Sequence, residues 1–487
     1  MAISLEAARG IISKIAGERS ARYAQDSDRR PLDAVVGRTV SHRVDSPIST
    51  PTFDSVAVDG YAVIASQVSH VTSQRPIQLR CMGSMKAGDP PLEVDDTVNY
   101  GMVSCVEVFI GAAFPTAWST RKPFDAIVPR EHATIVREDE YGRILRIERS
   151  PLTSWHKRIA GSDFRKGSRI LDKGTSIAPK YVMALASVGV REVAVTREAR
   201  VGIISIGSEL ASTVVGEQSL RYKTPDANGP YLTAAIREMG EDAIYLGSLP
   251  DDSGVIASFI QDKMANDHFE VLVTTGRVSA GGPSAVDHAL MDIGAETHFE
   301  SVAMQPGGTV LFASMPEPGS MSVDQSPSSI NDSGSSNPNY WTPPKPSAKQ
   351  ANIPAVIFAL PSSPIAAACC FRFLVTPYIR ALIGMQSEQA MMARVTANPS
   401  NAAYQYDQNA SNSKGMIVEG SPHFDIFRHA ILTSQHDRVM VEVSRERSPA
   451  KASPFASSNC WLHIARGSAG VSDGEVANIY PFCSPKS

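Results

Sequence analysis

Between residues 197 and 384 the apolar positions switch repeatedly between two periods. Short apolar runs at 201–205, 243–246 and 269–273, bounded by turn or helix-starting residues, read as strands. Between them, Leu232, Ala235, Ile236 and Met239 recur at helical spacing, as do Ile256, Phe259, Ile260 and Met264. Asn228 and Ser253 stand where these two helices would be capped, and Gly240 where the first would close. Ser284 precedes a third helix that ends at Gly294. Strands alternating with helices at this spacing predict a mostly parallel, doubly wound sheet with right-handed crossovers. In such a sheet ligands sit at the carboxyl ends of the strands, which selects four loops: 207–209, 274–284, 305–309 and 361–364.

The flanks follow a different period. Residues 40–150 carry short alternating strands, including 77–81 and 133–136, and residues 390–487 do likewise at 439–443 and 460–464. The predicted class is α/β plus β: a multidomain chain with a central doubly wound α/β domain between β-rich domains. Seven of the 33 prolines fall in residues 315–352, beside runs such as SPSS and NDSGSSNPN. That stretch is expected to be a disordered insertion between two strand-like runs, 309–313 and 355–360. Residues 116–123 are expected to be a second, shorter loop insertion.

With 487 residues the chain can bury several cores, and a prior of roughly 150 residues per domain gives about three. Lys plus Arg number 46 against 50 Asp plus Glu, a formal charge of −4, so no global basic field favours nucleic acid or anionic lipid. The apolar stretch 353–384 is interrupted by Pro361, Ser362, Ser363, Pro364, Arg372 and Pro377, and is expected to be a core segment, not a membrane span. The first 22 residues mix charges with apolar residues at helical spacing, unlike a signal peptide, so a cytoplasmic location is expected. Six cysteines, at 81, 105, 369, 370, 460 and 483, show neither CxxC spacing nor a disulfide framework.

The four sheet-edge loops suit anions. Loop 274–284 is rich in Gly and Ser and runs into a helix N-terminus, and loop 361–364 does the same. Free N–H groups and the helix dipole favour an oxyanion there, although Gly and Ser also serve plain turns and caps.

Taken in order, these segments resemble the molybdopterin molybdenumtransferase family, the MoeA proteins and the gephyrin E domain, over nearly the whole chain. Residues 37–63 end in DGYAV, with Asp59, Gly60, Tyr61 and Ala62 retained. FIGAAFP at 109–115 and FDAIVPRE at 124–131 resemble the family's TGA and G-x-D segments, VGIISIGSEL at 201–210 its TGDEL strand end, and PDANGPYL at 225–232 its D-x-N segment. TTGRVSAGGPSAVDHAL at 274–290 is similar to the GGVS loop, AMQPGGTVLF at 303–312 to the PGKP strand, and ALPSSP at 359–364 to the LPGNP turn.

The resemblance implies four parts: an elongated linker domain (1–44 with 151–196), a β-rich domain (45–150), a molybdopterin-binding α/β domain (197–385) holding the insertion 315–352, and a C-terminal β domain (390–487). It also implies a homodimer with its site between one subunit's α/β domain and the partner's β domain. The implied reaction cleaves adenylated molybdopterin with Mg2+ and inserts molybdate-derived molybdenum into the dithiolene. Such a site needs carboxylates for the metal, and cations or N–H groups for phosphate and molybdate.

The chain departs from the pattern at those functions. Ile110 replaces the threonine of TGA, Ser208 the aspartate of TGDEL, Arg277 the second glycine of GGVS and Ser284 its aspartate, with Asp287 three residues further on. Gln305 and Gly308 replace two lysines, and Ser362 and Ser363 alter the LPGNP turn. Asp59 and Glu209 are the retained acids expected to act in catalysis and hold the metal. Arg277, Ser279, Ser362, Ser363, Asp226 and Asn228 are the expected anion or substrate contacts. Asp59 could equally hold a turn, Asn228 cap a helix and Arg277 pair within the chain.

Three readings follow: a transferase diverged from molybdenum insertion and recruited to a specialised biosynthetic pathway, a working molybdenumtransferase, or a non-enzymatic adaptor like gephyrin. Each expects a small anionic or phosphate-bearing ligand or a protein partner, and neither nucleic acid nor membrane.

Overall fold

A computed structural model of the chain describes residues 2–23, 27–95, 101–119, 121–210, 223–277, 283–316, 354–396, 416–435, 438–444 and 446–482. The contacts group them into two units, one of residues 43–172 and 179–192, the other of 1–42, 173–178 and 193–487. The chain opens with helix α1 (Leu5–Tyr23), which belongs to the second unit.

The first unit is built on β1 (Gly60–Val63), β2 (Ile77–Met85), β3 (Val103–Val108), β4 (Ala126–Pro129), β5 (Ala133–Asp139) and β6 (Gly142–Ile147). They form one sheet in the order β5-β6-β2-β3-β1-β4, antiparallel apart from the parallel pair β2–β3. Alternating side chains bury two faces, one around Tyr61, Leu79 and Val128, the other around Val56, Val106 and Phe124. Residues 116–123 are not an irregular insertion where they are described. Thr116–Ala117 pairs with Glu93–Val94, and Ala117 N donates to Lys122 O at 2.8 Å.

The second unit holds the α/β layer. Its strands and helices alternate as β7 (Arg200–Ile206), α2 (Asn228–Glu238), β8 (Asp242–Leu249), α3 (Ser253–Asp267), β9 (Val271–Arg277), α4 (Ala285–Asp292), β10 (Glu296–Phe299), β11 (Met304–Gln305), β12 (Leu311–Ser314) and β13 (Val356–Pro361). The sheet order is β8-β7-β9-β13-β12-β10, with the first four strands parallel and β12 antiparallel to both its neighbours. β7 and β13 are buried along their whole length, as continuous apolar runs in a doubly covered sheet should be.

Two expected caps are corrected. Asn228 is not the capping side chain of α2; Asp226 Oδ1 accepts from Asn228 N and Gly229 N at 3.0 and 3.2 Å. Ser253 is already inside α3, whose cap is Asp252, accepting from Val255 N at 2.9 Å. In both, an aspartate just upstream reaches the free N–H groups with a charged acceptor.

The apolar stretch after β13 is also longer than its sequence suggests. Helix α5 (Pro364–Leu382) runs unbroken for 19 residues. Pro377 has no N–H for the carbonyl one turn back, and the helix widens there into a π turn, Phe371–Val375. Arg9 of α1 donates Nε to the Phe373 carbonyl at 3.3 Å, taking the place of the missing donor, and its guanidinium lies over the Phe373 ring. Buried Arg372 pairs with Glu388 at 2.7 Å. By length and mean hydropathy this helix could cross a membrane, but 83% of it is buried in the fold, as expected of a core segment.

The apolar stripe of α1, Leu5, Ala8, Ile12 and Ala16, is buried in the same core as α5 and the α/β sheet. Residues 1–44 and 151–196, expected together as one elongated part, thus divide between the two units. The C-terminal strands β14 (Met391–Thr396), β15 (Asp425–Gln435), β16 (Arg438–Val443), β17 (Cys460–Ile464) and β18 (Val476–Pro481) pair in the order β15-β16-β14-β18-β17, and β17 pairs back to β15, closing the sheet on itself. β11 adds to it in parallel with β15.

Candidate functional site

Strand register brings the expected loops together. Ser205 near the end of β7 pairs with Thr275 of β9, and Arg277 at the end of β9 pairs with Pro361 of β13. The loops after β7, β9 and β13 therefore leave one edge of the sheet side by side. Gly276 makes the turn possible. Its φ is +107°, and a Cβ there would stand 1.8 Å from the Ile206 carbonyl oxygen, so only glycine fits. Ser279 lies outside the described residues, and Arg277 is placed by its backbone as the last residue of β9.

Asp226 is the hub of this edge. Its Oδ2 accepts from Ser205 Oγ at 2.6 Å and from the Tyr245 hydroxyl at 2.7 Å, while Oδ1 takes the two N–H groups at the start of α2. With four donors satisfied, it serves as an anchor between β7, β8 and α2 and offers little to a ligand. Asn228 donates Nδ2 to the Ser362 carbonyl at 2.7 Å and so ties α2 to the loop after β13. The expected ligand contacts Asp226 and Asn228 are thus engaged in holding the loops.

Glu209 is exposed, and its carboxylate folds back over Gly207, where a Cβ would meet Oε2 at 2.6 Å. Lys223 donates to the Ser208 carbonyl, and Thr224 N to the Glu209 carbonyl at 2.8 Å. Ser284, in the place of a family aspartate, caps α4. Asp287 completes the capping box by accepting from Ser284 N at 2.6 Å. Among the acids at this edge, Asp226 and Asp287 are committed to structure. Glu209 alone does not make a magnesium site, and the described residues contain no group of three His, Cys, Asp or Glu that could hold a metal. Asp59 belongs to the other unit. It is exposed and accepts from Ile110 N at 2.8 Å, so it pins the 109–111 loop and not its own backbone.

A cavity of about 460 Å3 opens where loops 305–309 and 361–364 meet the closed C-terminal sheet. Pairing of Gln305 with Ile426 fixes this meeting, since it sets Arg428 two residues further along β15 on the face of Ile426. Gln305, Ser363, Arg428, Arg447 and one acid, Glu419, line the cavity. Cys370 of α5 donates to the Gly307 carbonyl at 3.1 Å and steadies the floor. Among the described residues neither arginine has an ion-pair partner. Burial, and then the neighbouring charge of Arg447, push the Arg428 guanidinium below its ordinary range, with Glu446 opposing them. Two unpaired like charges held together favour an anion between them.

Arg428 and Arg447 were not among the residues expected from sequence. The signal for Arg428 is its place in β15, on a face otherwise made by Ile426, Ala430 and Leu432 of the C-terminal core. Arg447 sits in an irregular stretch and has no such signal.

Two family models match: "MoeA N-terminal region (domain I and II)" over residues 3–189 and "Probable molybdopterin binding domain" over residues 202–381. The molybdopterin molybdenumtransferase of Synechococcus elongatus is 30% identical over 292 residues, 60% of this chain and 68% of that protein. That of Haemophilus influenzae is 25% identical over 452 residues, 93% of each chain. The crystal structure of the molybdopterin biosynthesis MoeA protein from Pyrococcus horikoshii OT3 superposes with a TM-score of 0.71 at 20% identity, over 98% of this chain and 99% of that one, a likeness of fold. With both domain models in order along the chain and a relative matched over two thirds of its length, the chain belongs to the MoeA family, the molybdopterin molybdenumtransferases of molybdenum cofactor biosynthesis.

Proposed function

We propose that this chain is a transferase of the molybdenumtransferase type, diverged from general molybdenum insertion, that still captures an oxyanion of the molybdate class. The observation that carries this reading is the pair Arg428 and Arg447 in the cavity beside Gln305 and Ser363. Where the resemblance expects lysines at 305 and 308, the chain has Gln305 and Gly308, and positive charge comes from the C-terminal sheet instead. The acid positions have gone the other way: Ser284 and Asp287 form a helix cap, and Asp226 anchors a strand edge. These placements support anion capture, while among the described acids at this edge only Glu209 is left to meet a metal.

Each charge-assisted contact to an oxyanion contributes roughly 1.5–3 kcal/mol, or about 10- to 150-fold in affinity. Arg428→Ala and Arg447→Ala are each expected to weaken molybdate binding by that factor, measured by calorimetry. The second arm incubates the protein with adenylated molybdopterin, molybdate and Mg2+ and follows AMP. Molybdate binding with AMP release at least about a hundredfold slower than from a curated relative is the expected result. Release at the relative's rate would overturn divergence and establish a working molybdenumtransferase, whose metal ligands would then include residues outside those described. The adaptor reading gains nothing, since the insertion it rests on lies outside the described residues beyond Pro316. A homodimer with a four-part subunit belongs to the proposal and is tested by sedimentation.

A further inference from the structure

Two cysteines stand side by side in the β-rich unit. β2 and β3 run parallel, and Cys81 is the register partner of Cys105. Register partners point to the same face, and both side chains join the cluster around Tyr61, Leu79 and Val128, Cys105 fully buried and Cys81 at its margin. Neighbouring strands lie about 4.8 Å apart, inside the roughly 4.4–6.8 Å between Cα atoms that a disulfide spans. The Cys105 thiol is the neighbour that most favours the charged form of Cys81. The β2–β3 register shifts between Cys81 and Ser84, and the Cys81 thiol donates to the Gly83 carbonyl at 3.2 Å.

The partners differ in protonation. The neighbouring Cys105 thiol holds the Cys81 thiol down at about 6 against its burial, helped by backbone hydrogen bonds at Gly83 and Glu107. Burial pushes the Cys105 thiol well up. The charged and titratable groups around Cys81 are Glu107 on β3, which opposes the thiolate, and Tyr61 on β1. Arg143 on β6 and Arg130 hold Glu107 at 3.2 and 3.8 Å. Arg80, the preceding residue on β2, pairs with Asp139 at 2.9 Å.

We propose that Cys81 and Cys105 form a peroxide-reactive dithiol, in which Cys81 attacks and Cys105 resolves. The Cys81 thiolate attacks one oxygen of hydrogen peroxide; the S–O bond forms, the O–O bond breaks, and hydroxide leaves and takes up a proton as water. Cys81 is then a sulfenic acid, oxidised by two electrons. The Cys105 sulfur attacks the Cys81 sulfur, the S–O bond breaks, and the Cys105 proton leaves with the hydroxyl as a second water. Two thiols and one peroxide become one disulfide and two waters.

Cys369, Cys370 and Cys460 are buried, and burial raises each of their thiols, so they do not compete. Cys483 lies outside the described residues and is removed from the test by Cys483→Ser. The full chain is treated with equimolar hydrogen peroxide and mapped by mass spectrometry. The expected product is a Cys81–Cys105 cross-linked peptide about 2 Da lighter than its two parts and reversed by dithiothreitol. Cys105→Ala should stop the reaction at a dimedone-trappable sulfenic acid on Cys81, and Cys81→Ser should leave Cys105 unmodified. Alkylation of Cys81 should quicken less than about twofold from pH 7 to 8, where an ordinary thiol gains roughly eightfold. In protein shown by circular dichroism to be folded, Cys81 left unoxidised, or oxidised in the presence of Cys105 without the cross-link, would overturn the proposal.

Discussion

Removing the Asp226 carboxylate separates an anchor from a ligand contact. Asp226→Ala deletes four acceptor contacts at once. Loss of the cap on α2 costs about 1 kcal/mol. Ser205 is fully buried, and its hydroxyl has only a long 3.5 Å contact with Thr275 Oγ1 to fall back on, so orphaning it adds about 1–3 kcal/mol. Tyr245 is half-buried and turns its hydroxyl to water at little further cost. The sum is a destabilisation of about 2–4 kcal/mol. Asp226→Asn keeps Oδ1 for the helix N–H groups and presents an amide to the Ser205 oxygen, so it should cost about 1 kcal/mol. Urea unfolding with unchanged slope reads both values. Asp226→Ala within about 0.5 kcal/mol of the parent, with weakened ligand binding, would refute the anchor and restore Asp226 as a binding residue.

Other perturbations follow from the same geometry. Gly276→Ala drives a methyl group against the Ile206 carbonyl at positive φ, and should lower the unfolding midpoint or prevent soluble expression; a midpoint equal to the parent's would show that the turn adapts. Glu270, nearly fully buried, pairs with Arg197 at 2.7 Å and accepts from Arg200 N, so Glu270→Ala should cost about 3–5 kcal/mol and Glu270→Gln clearly less, both by urea titration. Burial, then the adjacent Arg428, pull the His429 imidazole below its ordinary 6.5. The unfolded chain then binds the proton more readily, so this contribution to stability is full above pH 6.5 and is lost as pH falls through the lowered folded value. His429→Gln should flatten the fall in urea midpoint between about pH 7 and 5, and an unchanged slope would count against it.

Local pattern carried the α/β layer well. The runs at 201–205 and 243–246 lie inside β7 and β8, and the apolar stripes in α2 and α3, because a buried strand and a one-faced helix each write their period into adjacent residues. Caps were misplaced by one or two residues because Asn, Ser and Asp compete for the same N–H groups, and only the backbone path shows which acceptor reaches them. Pro377 misled for a related reason. Its effect on α5 depends on whether another donor can satisfy the Phe373 carbonyl, and that donor, Arg9, lies 364 residues away.

The sequence by itself determined the order of strands and helices and which sheet edge gathers the loops, since periodicity and the handedness of crossovers follow from short stretches of chain, and the order of its motifs carried the resemblance to the family. It could not decide what the side chains at that edge do. Asp226, Asn228 and Ser284 have residue types that suit ligand binding and helix anchoring equally; partners on neighbouring elements made the first two anchors, and Asp287 one turn on made Ser284 a cap. Nor could it supply Arg428 and Arg447 to the cavity. The place of Arg428 depends on Gln305 pairing with Ile426, a contact between distant segments that no local pattern encodes, and Arg447 joins it from an irregular stretch. The same holds for Cys81 and Cys105, ordinary thiols until the β2–β3 register sets them opposite each other.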